Sequence, residues 1–140
     1  MNNFVFGFSH GGWLSAHLSA ARPDDFTAVG LGNPVINLVT CYPLSDIPDW
    51  SYYEAFGEYK ELEFGKVLSL EEMKKAYESS PISRVDKVKC PTLMILGKKD
   101  LRVPPNQGIE WIRALERNKI ETLTIEYPED DHSLRNRGFY

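Results

Sequence analysis

The turn Gly7-Phe8-Ser9-His10-Gly11 is the feature that most constrains the fold of this chain, because it joins an apolar run to a helical pattern. The run Phe4–Phe6 predicts a strand that ends at Gly7, and the apolar spacing from Gly11 to Ala21 predicts a helix. A Gly-x-Ser-x-Gly sequence in this setting is typical of a nucleophile elbow, a strained turn that projects a serine hydroxyl beyond the sheet. We expect Gly7 and Gly11 to be glycines because a side chain at either position would collide with the neighbouring strand or helix.

Strands and helices alternate along the rest of the chain. The same patterns predict strands at 27–31, 92–96 and 122–127, and helices at 69–80 and from 104 to about 118. The continuous apolar run Thr92–Leu96 is typical of a strand buried on both faces of a parallel sheet. In Thr122–Tyr127 apolar and polar residues alternate, which predicts one solvent-exposed face near a sheet edge. The alternation as a whole predicts an α/β fold with a doubly wound, mostly parallel sheet.

Two helical segments carry further local signals. Ser69 and Glu72 have the spacing of a capping box, in which each side chain satisfies a free backbone amide at the start of the helix. Residues 35–68 show no single period and are rich in aromatic side chains. We interpret that stretch as an insertion or lid with short helices, within one domain, or part of one, that covers residues 1–140.

Composition limits the classes of partner. The net charge is −4 with scattered basic residues, which argues against nucleic acid. No stretch is long and apolar enough to predict a membrane span, so no membrane partner is expected. Cys41 and Cys90 have no metal or redox spacing, and we expect two reduced, buried thiols in a cytoplasmic protein without a cofactor or metal ion.

The residues that could complete the chemistry of Ser9 follow later strands. A nucleophilic serine needs a base and a group that orients the base. Asp100 lies just beyond the strand 92–96, and His132 follows the strand 122–127, so both are expected at the carboxyl ends of their strands. The order Ser9, Asp100, His132 is the order of the catalytic residues in α/β-hydrolases. The backbone amide of His10 is the expected oxyanion donor.

Other interpretations of these residues remain open at this point. His132 and its neighbours Asp130 and Asp131 could be a solvated surface cluster or a weak metal site. The same two aspartates are rival acids, although a carboxylate adjacent in sequence to a histidine rarely reaches the ring nitrogen that faces away from the serine. We expect a packing role for His17 and a structural role for the His10 side chain.

Seven segments of the chain carry a further signal: Gly7–Gly12, Asn33–Asn37, Ser45–Trp50, Ser80–Ile82, Val88–Pro91, Gly97–Pro104 and Gln107-Gly108. Together these segments resemble the acylaminoacyl-peptidases of the prolyl oligopeptidase family. The resemblance extends from residue 4 to about residue 133. It implies an α/β-hydrolase fold, a triad of Ser9, Asp100 and His132, and a serine peptidase that releases N-acylated, usually N-acetylated, amino acids from short peptides.

The resemblance also implies parts that precede the turn at Ser9. Enzymes of this family have a β-propeller, earlier strands and a loop that supplies a second oxyanion donor. We therefore expect the C-terminal half of a hydrolase sheet with an unpaired apolar edge on the first strand. The isolated chain is expected to fold poorly and to have little or no activity. Two other function classes stay open: a catalytically silent fragment that only binds, for example by pairing its exposed strand with a longer relative, and a carboxylic esterase. A homo-oligomer is also possible as a partner assembly.

Overall fold

The structure, a computed structural model, describes residues 2–58 and 66–135. Its four strands are β1 (Phe4–Phe8), β2 (Ala28–Gly32), β3 (Thr92–Gly97) and β4 (Thr122–Tyr127). Its α-helices are α1 (His10–Ala21), α2 (Leu38–Cys41), α3 (Pro48–Phe56), α4 (Leu70–Ser79) and α5 (Asn106–Arg117), and a 3-10 helix spans Pro81–Lys87. The predicted strands and long helices are therefore present, with ends that differ by one or two residues.

The strands form one parallel sheet in the order β1-β2-β3-β4. The α/β fold class predicted from the sequence is confirmed. Because all four strands run in the same direction, their carboxyl ends meet at one edge of the sheet. Ser9 follows β1 at this edge, and the segments after β3 and β4 carry Asp100 and His132.

Helices α1 and α5 cover one face of the sheet. The side chains of Val29 and Leu31 in β2 and of Met94 and Leu96 in β3 are buried there. They pack with Ala16 and Ala20 of α1 and with Trp111, Ile112 and Leu115 of α5. This packing holds the strand ends rigidly, so the loops that leave them start from fixed positions.

The opposite face of the sheet is apolar and open among the described residues. Phe4 and Phe6 of β1 are 68% and 60% exposed, and Leu123 of β4 is 63% exposed. The prediction that β4 has a single exposed face is wrong, because its residues from Leu123 to Glu126 are exposed on both faces. The register places Leu123 beside Leu93, on the face that α1 and α5 leave uncovered.

The capping box predicted at the start of the helix after Ser69 is found in the structure. In α4 the Ser69 hydroxyl accepts from the Glu72 amide at 3.2 Å, and the Glu72 carboxylate accepts from the Ser69 amide at 2.8 Å.

Helices α2 and α3 lie in the stretch interpreted as an insertion, part of which (59–65) is outside the described residues. That interpretation stays a prediction. In the described part of the chain, helices are too short or too polar to cross a bilayer.

Candidate active site

Ser9 occupies a strained turn between β1 and α1. Its φ of 57° and ψ of −121° lie in a region that residues with side chains rarely adopt. The turn is held from both sides, because the Ser9 amide donates to the Gly32 carbonyl at 2.8 Å and the Ser9 carbonyl accepts from the Gly12 amide at 3.0 Å. A strained turn at Ser9, between β1 and α1, is what the sequence motif predicts.

The glycines of this turn have different roles. A Cβ atom at Gly7 would lie 1.9 Å from the Gly11 carbonyl oxygen, so only glycine fits there. The expectation of a similar collision at Gly11 is wrong, because a Cβ atom at that position meets nothing within 4 Å. Gly12 is the second crowded position, where a Cβ atom would lie 2.6 Å from the Pro34 Cβ. At Gly12 the start of α1 therefore lies close to the turn after β2.

The structure brings Ser9, His132 and Asp100 into one hydrogen-bonded chain. His132 Nδ1 lies 2.7 Å from Asp100 Oδ2, and His132 Nε2 lies 2.9 Å from Ser9 Oγ. A carboxylate oxygen can only accept, so Nδ1 carries the proton and Nε2 is free to accept from the Ser9 hydroxyl. This is the arrangement that activation of a serine requires.

The Asp100 carboxylate is buried and its second oxygen is also occupied. The residue is 2% exposed, and Oδ1 accepts from the backbone amides of Arg102 and Val103, both at 2.9 Å. Two amides and one imidazole therefore hold the carboxylate in a single orientation. The turn 100–103 determines that orientation, because it supplies both amides.

The two rival acids do not contact the imidazole in this way. The Asp131 carboxylate accepts from the Ser133 hydroxyl at 2.5 Å and from the Ser133 amide at 2.8 Å. These bonds lower the pKa of Asp131. Asp130 is 2% exposed, and its backbone carbonyl accepts from the Lys99 amide at 2.9 Å. Of the three aspartates, Asp100 is the one that orients His132.

His10 faces helix α3 with its side chain. As the first residue of α1, it has a backbone N–H with no acceptor within the helix, which suits an oxyanion donor. Its imidazole Nε2 lies 3.2 Å from Glu54 Oε2, and its ring meets the Trp50 ring edge-on with centroids 5.6 Å apart. Sequence reasoning missed Glu54, because a single glutamate in an aromatic-rich stretch gives no signal of its distant partner.

Ser45 and Asp46 lie in a segment that the sequence analysis singled out only for its resemblance, and they support the Asp100 turn. The Asp46 carboxylate accepts from Arg102 Nε at 2.6 Å and from the second guanidinium nitrogen at 3.3 Å, which raises the pKa of Arg102. The Ser45 hydroxyl donates to the Arg102 carbonyl at 2.7 Å, and the Asp46 amide donates to the Leu101 carbonyl at 2.9 Å. The segment before α3 is therefore hydrogen-bonded to the turn that holds the Asp100 carboxylate.

The other titratable candidates are packing residues. Burial lowers the pKa of His17, whose ring lies edge-on to Trp13 and 3.1 Å from the Ser79 carbonyl oxygen. Cys41 and Cys90 are buried free thiols, and burial raises the pKa of Cys41 to about 11. No group of three or more potential metal ligands is found over residues 2–58 and 66–135.

The sequence of this chain matches one protein family over nearly its whole length. The model of the prolyl oligopeptidase family, Peptidase_S9, matches residues 2–139. The chain belongs to the prolyl oligopeptidase family. The resemblance indicated by the sequence segments is therefore confirmed.

Individual members of the prolyl oligopeptidase family match over most of the chain. The acylamino-acid-releasing enzyme of Arabidopsis thaliana is 42% identical over 130 residues, which cover 93% of this chain and 17% of that enzyme. The enzyme of the same name from Mus musculus is 38% identical over the same shares of each chain. The solved structure of the Pyrococcus horikoshii acylaminoacyl peptidase superposes with a TM-score of 0.76 at 23% identity, over 96% of this chain and 20% of that one.

The matched residues are a small part of each relative. The chain spans about a sixth of the length of the curated relatives that it matches. The structural match shows that the fold is that of the α/β-hydrolase domain of this family.

Proposed function

We propose that this chain carries the nucleophile, base and acid of a serine peptidase that releases N-acylated amino acids from short peptides. The observation that carries the proposal is the hydrogen-bonded chain from Ser9 through His132 to Asp100, at 2.9 and 2.7 Å. Membership of the prolyl oligopeptidase family supports the peptidase class. The names of the relatives, acylamino-acid-releasing enzymes, support the choice of substrate.

In the first half of the reaction, His132 Nε2 accepts the Ser9 proton while Oγ attacks the carbonyl carbon of the first residue. The backbone N–H of His10 donates to the oxyanion that forms, a contact worth about 3 kcal/mol in comparable sites. Asp100 stabilises the imidazolium through Nδ1. The C–N bond then breaks, His132 returns the proton to the leaving amine, and the N-acylated residue remains as an ester on Ser9.

In the second half, water replaces the departed peptide. His132 accepts a proton from the water while its oxygen attacks the ester carbonyl carbon. Collapse of this intermediate breaks the bond to Ser9 Oγ, and His132 returns the proton to the serine. The products are the N-acylated amino acid and the shortened peptide, and the three side chains regain their starting states.

We further propose that the protein acts in the cytoplasm on peptides small enough to reach this edge of the sheet. The two buried cysteines remain thiols in the structure, which suits a reducing compartment. The partner in this proposal is the short peptide substrate.

The experiment measures product release from two substrates by the full-length protein. We expect N-acetylalanine from an N-acetyl-alanyl peptide, and no release by Ser9→Ala. Hydrolysis of a simple aryl ester without release from the peptide would make the protein an esterase. Binding of the peptide without hydrolysis of either substrate would make it a silent binding module.

A further inference from the structure

The side chain of Asn33 joins three segments at the carboxyl edge of the sheet. It follows β2 directly, is 1% exposed and has a positive φ of 37°. Its Oδ1 accepts from the Gly97 amide at the end of β3 at 2.8 Å, and its Nδ2 donates to the His132 carbonyl at 3.1 Å. The Asp131 carbonyl lies 3.5 Å from the same nitrogen. One buried amide therefore links β2, β3 and the segment that carries the catalytic histidine.

The orientation of this amide follows from its partners. A backbone N–H can only donate and a backbone carbonyl can only accept, so Oδ1 must face Gly97 and Nδ2 must face His132. The Asn33 backbone is also engaged, because its amide donates to the Ile95 carbonyl at 2.9 Å. Asn33 is thus held in place by hydrogen bonds of both its side chain and its main chain.

Gly97 lets the histidine segment approach this anchor. A Cβ atom at position 97 would lie 2.4 Å from the Asp131 carbonyl oxygen and 2.8 Å from the Asp130 carbonyl oxygen. The backbone of 130–132 therefore rests directly on the end of β3. Contact with Gly97 limits how far the segment can move inward, and the bond from Asn33 limits how far it can move outward.

We propose that Asn33 is a positioning residue that sets the placement of His132 between Ser9 and Asp100. The inference rests on the proposed function only in that His132 acts as the base. The His132 carbonyl and imidazole belong to one residue, so a shift of the carbonyl changes both imidazole bonds together. Loss of the Nδ2 donor leaves a partly buried carbonyl without its partner, and the segment then moves to seek water.

The effect expected is on the chemical step. Misplacement of a catalytic group by about 1 Å costs up to ~10²-fold in rate, so kcat should fall by about 10- to 100-fold. Asn33 contacts backbone groups of the triad loops, and KM should stay near that of the wild type. The displacement also weakens the hydrogen bond between His132 and Asp100, which can be observed without any substrate.

The test uses the full-length protein with Asn33→Asp and Asn33→Gly. Aspartate keeps the volume and the acceptor for Gly97 but replaces the donor to His132 with a second acceptor. Glycine removes the side chain and adopts the positive φ without strain, which guards against a variant that fails to fold. Asn37→Asp is the matched control, because Asn37 is also buried and donates through Nδ2 to Glu110 at 2.8 Å.

Two readouts are compared: the far-downfield proton resonance of His132 Nδ1, assigned by its loss in His132→Ala, and the rate of fluorophosphonate labelling of Ser9. We expect both Asn33 variants to lose the resonance and to label more slowly, while Asn37→Asp keeps the resonance whatever its stability. A wild-type resonance and labelling rate in either folded Asn33 variant would overturn the inference. Equal loss in Asn37→Asp would overturn it as well, because the effect would be general destabilisation.

These readouts separate the inference from the proposed function. A wild-type protein that shows the resonance and labels at Ser9 but releases no N-acylated amino acid contradicts the substrate proposal, and the Asn33 variants still decide the inference. A protein that releases the product while the Asn33 variants match the wild type contradicts the inference alone.

Discussion

His132 Nε2 lies 2.9 Å from Ser9 Oγ, although 123 positions separate the two residues in the sequence. The contact exists because β1 and β4 are parallel strands of one sheet, and both loops leave from the same edge. No local pattern links a glycine-flanked serine to a histidine near the other end of the chain. β1 and β4 are the outer strands of the described sheet, and the segment after β4 reaches Ser9 by passing over Gly97 at the end of β3 and Asn33 at the end of β2.

Replacement of Asp100 by asparagine tests the role of the carboxylate. In the Asp100→Asn variant the side-chain carbonyl would still accept from the Arg102 and Val103 amides, but the NH2 group would face His132 Nδ1 and favour the wrong imidazole tautomer. We expect kcat to fall by about 10³- to 10⁴-fold with little change in KM. The measurement is steady-state hydrolysis of the N-acetyl-alanyl peptide, and kcat close to that of the wild type would remove Asp100 from the mechanism.

Alanine substitutions at Gly7 and Gly11 should have opposite outcomes. At Gly7 the new Cβ meets a backbone oxygen at 1.9 Å, so the turn must move. We expect Gly7→Ala to lower the free energy of unfolding by about 3 kcal/mol. Gly11→Ala lies in α1 with open space around it, and its effect should stay within about 1 kcal/mol, on the stabilising side. Chemical denaturation of both variants beside the wild type distinguishes these values, and equal losses would contradict the assigned packing.

The buried Cys41 thiol predicts a specific pH dependence of stability. Its pKa is raised from 9.0 to about 11 in the folded protein because burial disfavours the thiolate. Between these two pH values the unfolded chain loses the proton and the folded chain keeps it, so this contribution to stability is complete below pH 9 and declines as the pH rises toward 11.

Comparison with Cys41→Ala isolates that contribution from other groups that titrate at high pH. The wild type should lose about 2 kcal/mol more than the variant on going from pH 8 to pH 11. The free energy of unfolding is measured by denaturant titration at each pH. A difference between the two proteins that stays constant across the range would show that Cys41 does not titrate in this way.

Asp46→Ala should lower kcat, because Asp46 supports the turn that holds Asp100. The variant loses both contacts with the Arg102 guanidinium, although the Ser45 hydroxyl still donates to the Arg102 carbonyl and the backbone amide at 46 to the Leu101 carbonyl. We expect kcat to fall by up to about tenfold, less than the ~10²-fold cost of a full misplacement. Asp24→Ala is the matched control, because Asp24 forms an exposed ion pair with Lys89 at 2.9 Å. A similar fall in both variants would show that Asp46 acts through general stability.

The elements that carry the site could be predicted because their signals are local. The glycine-flanked Ser9 after an apolar run, the apolar strand before Asp100 and the capping box at Ser69 each lie within a few residues. The order of Ser9, Asp100 and His132 then selected the triad. The prediction that Ser9, Asp100 and His132 lie together needed only the rule that the carboxyl ends of parallel strands share one edge of the sheet.

The remaining features depend on contacts between distant segments. Gly12 is crowded and Gly11 is not because Pro34, in the turn after β2, packs on α1. Asn33 gives the sequence signal of a turn residue, and its bond to the His132 carbonyl follows from the position of the β4 loop. The exposure of Leu123 follows from the register of β4, which no alternation of residue types specifies.

Fluorophosphonate labelling followed by mass spectrometry of the modified peptide is the most direct test of the triad. The account predicts one label per chain, on Ser9, in the full-length protein, with no label in Ser9→Ala and strongly slowed labelling in His132→Ala. Labelling at another residue, or hydrolysis of the N-acetyl-alanyl peptide that persists in Ser9→Ala, would contradict it.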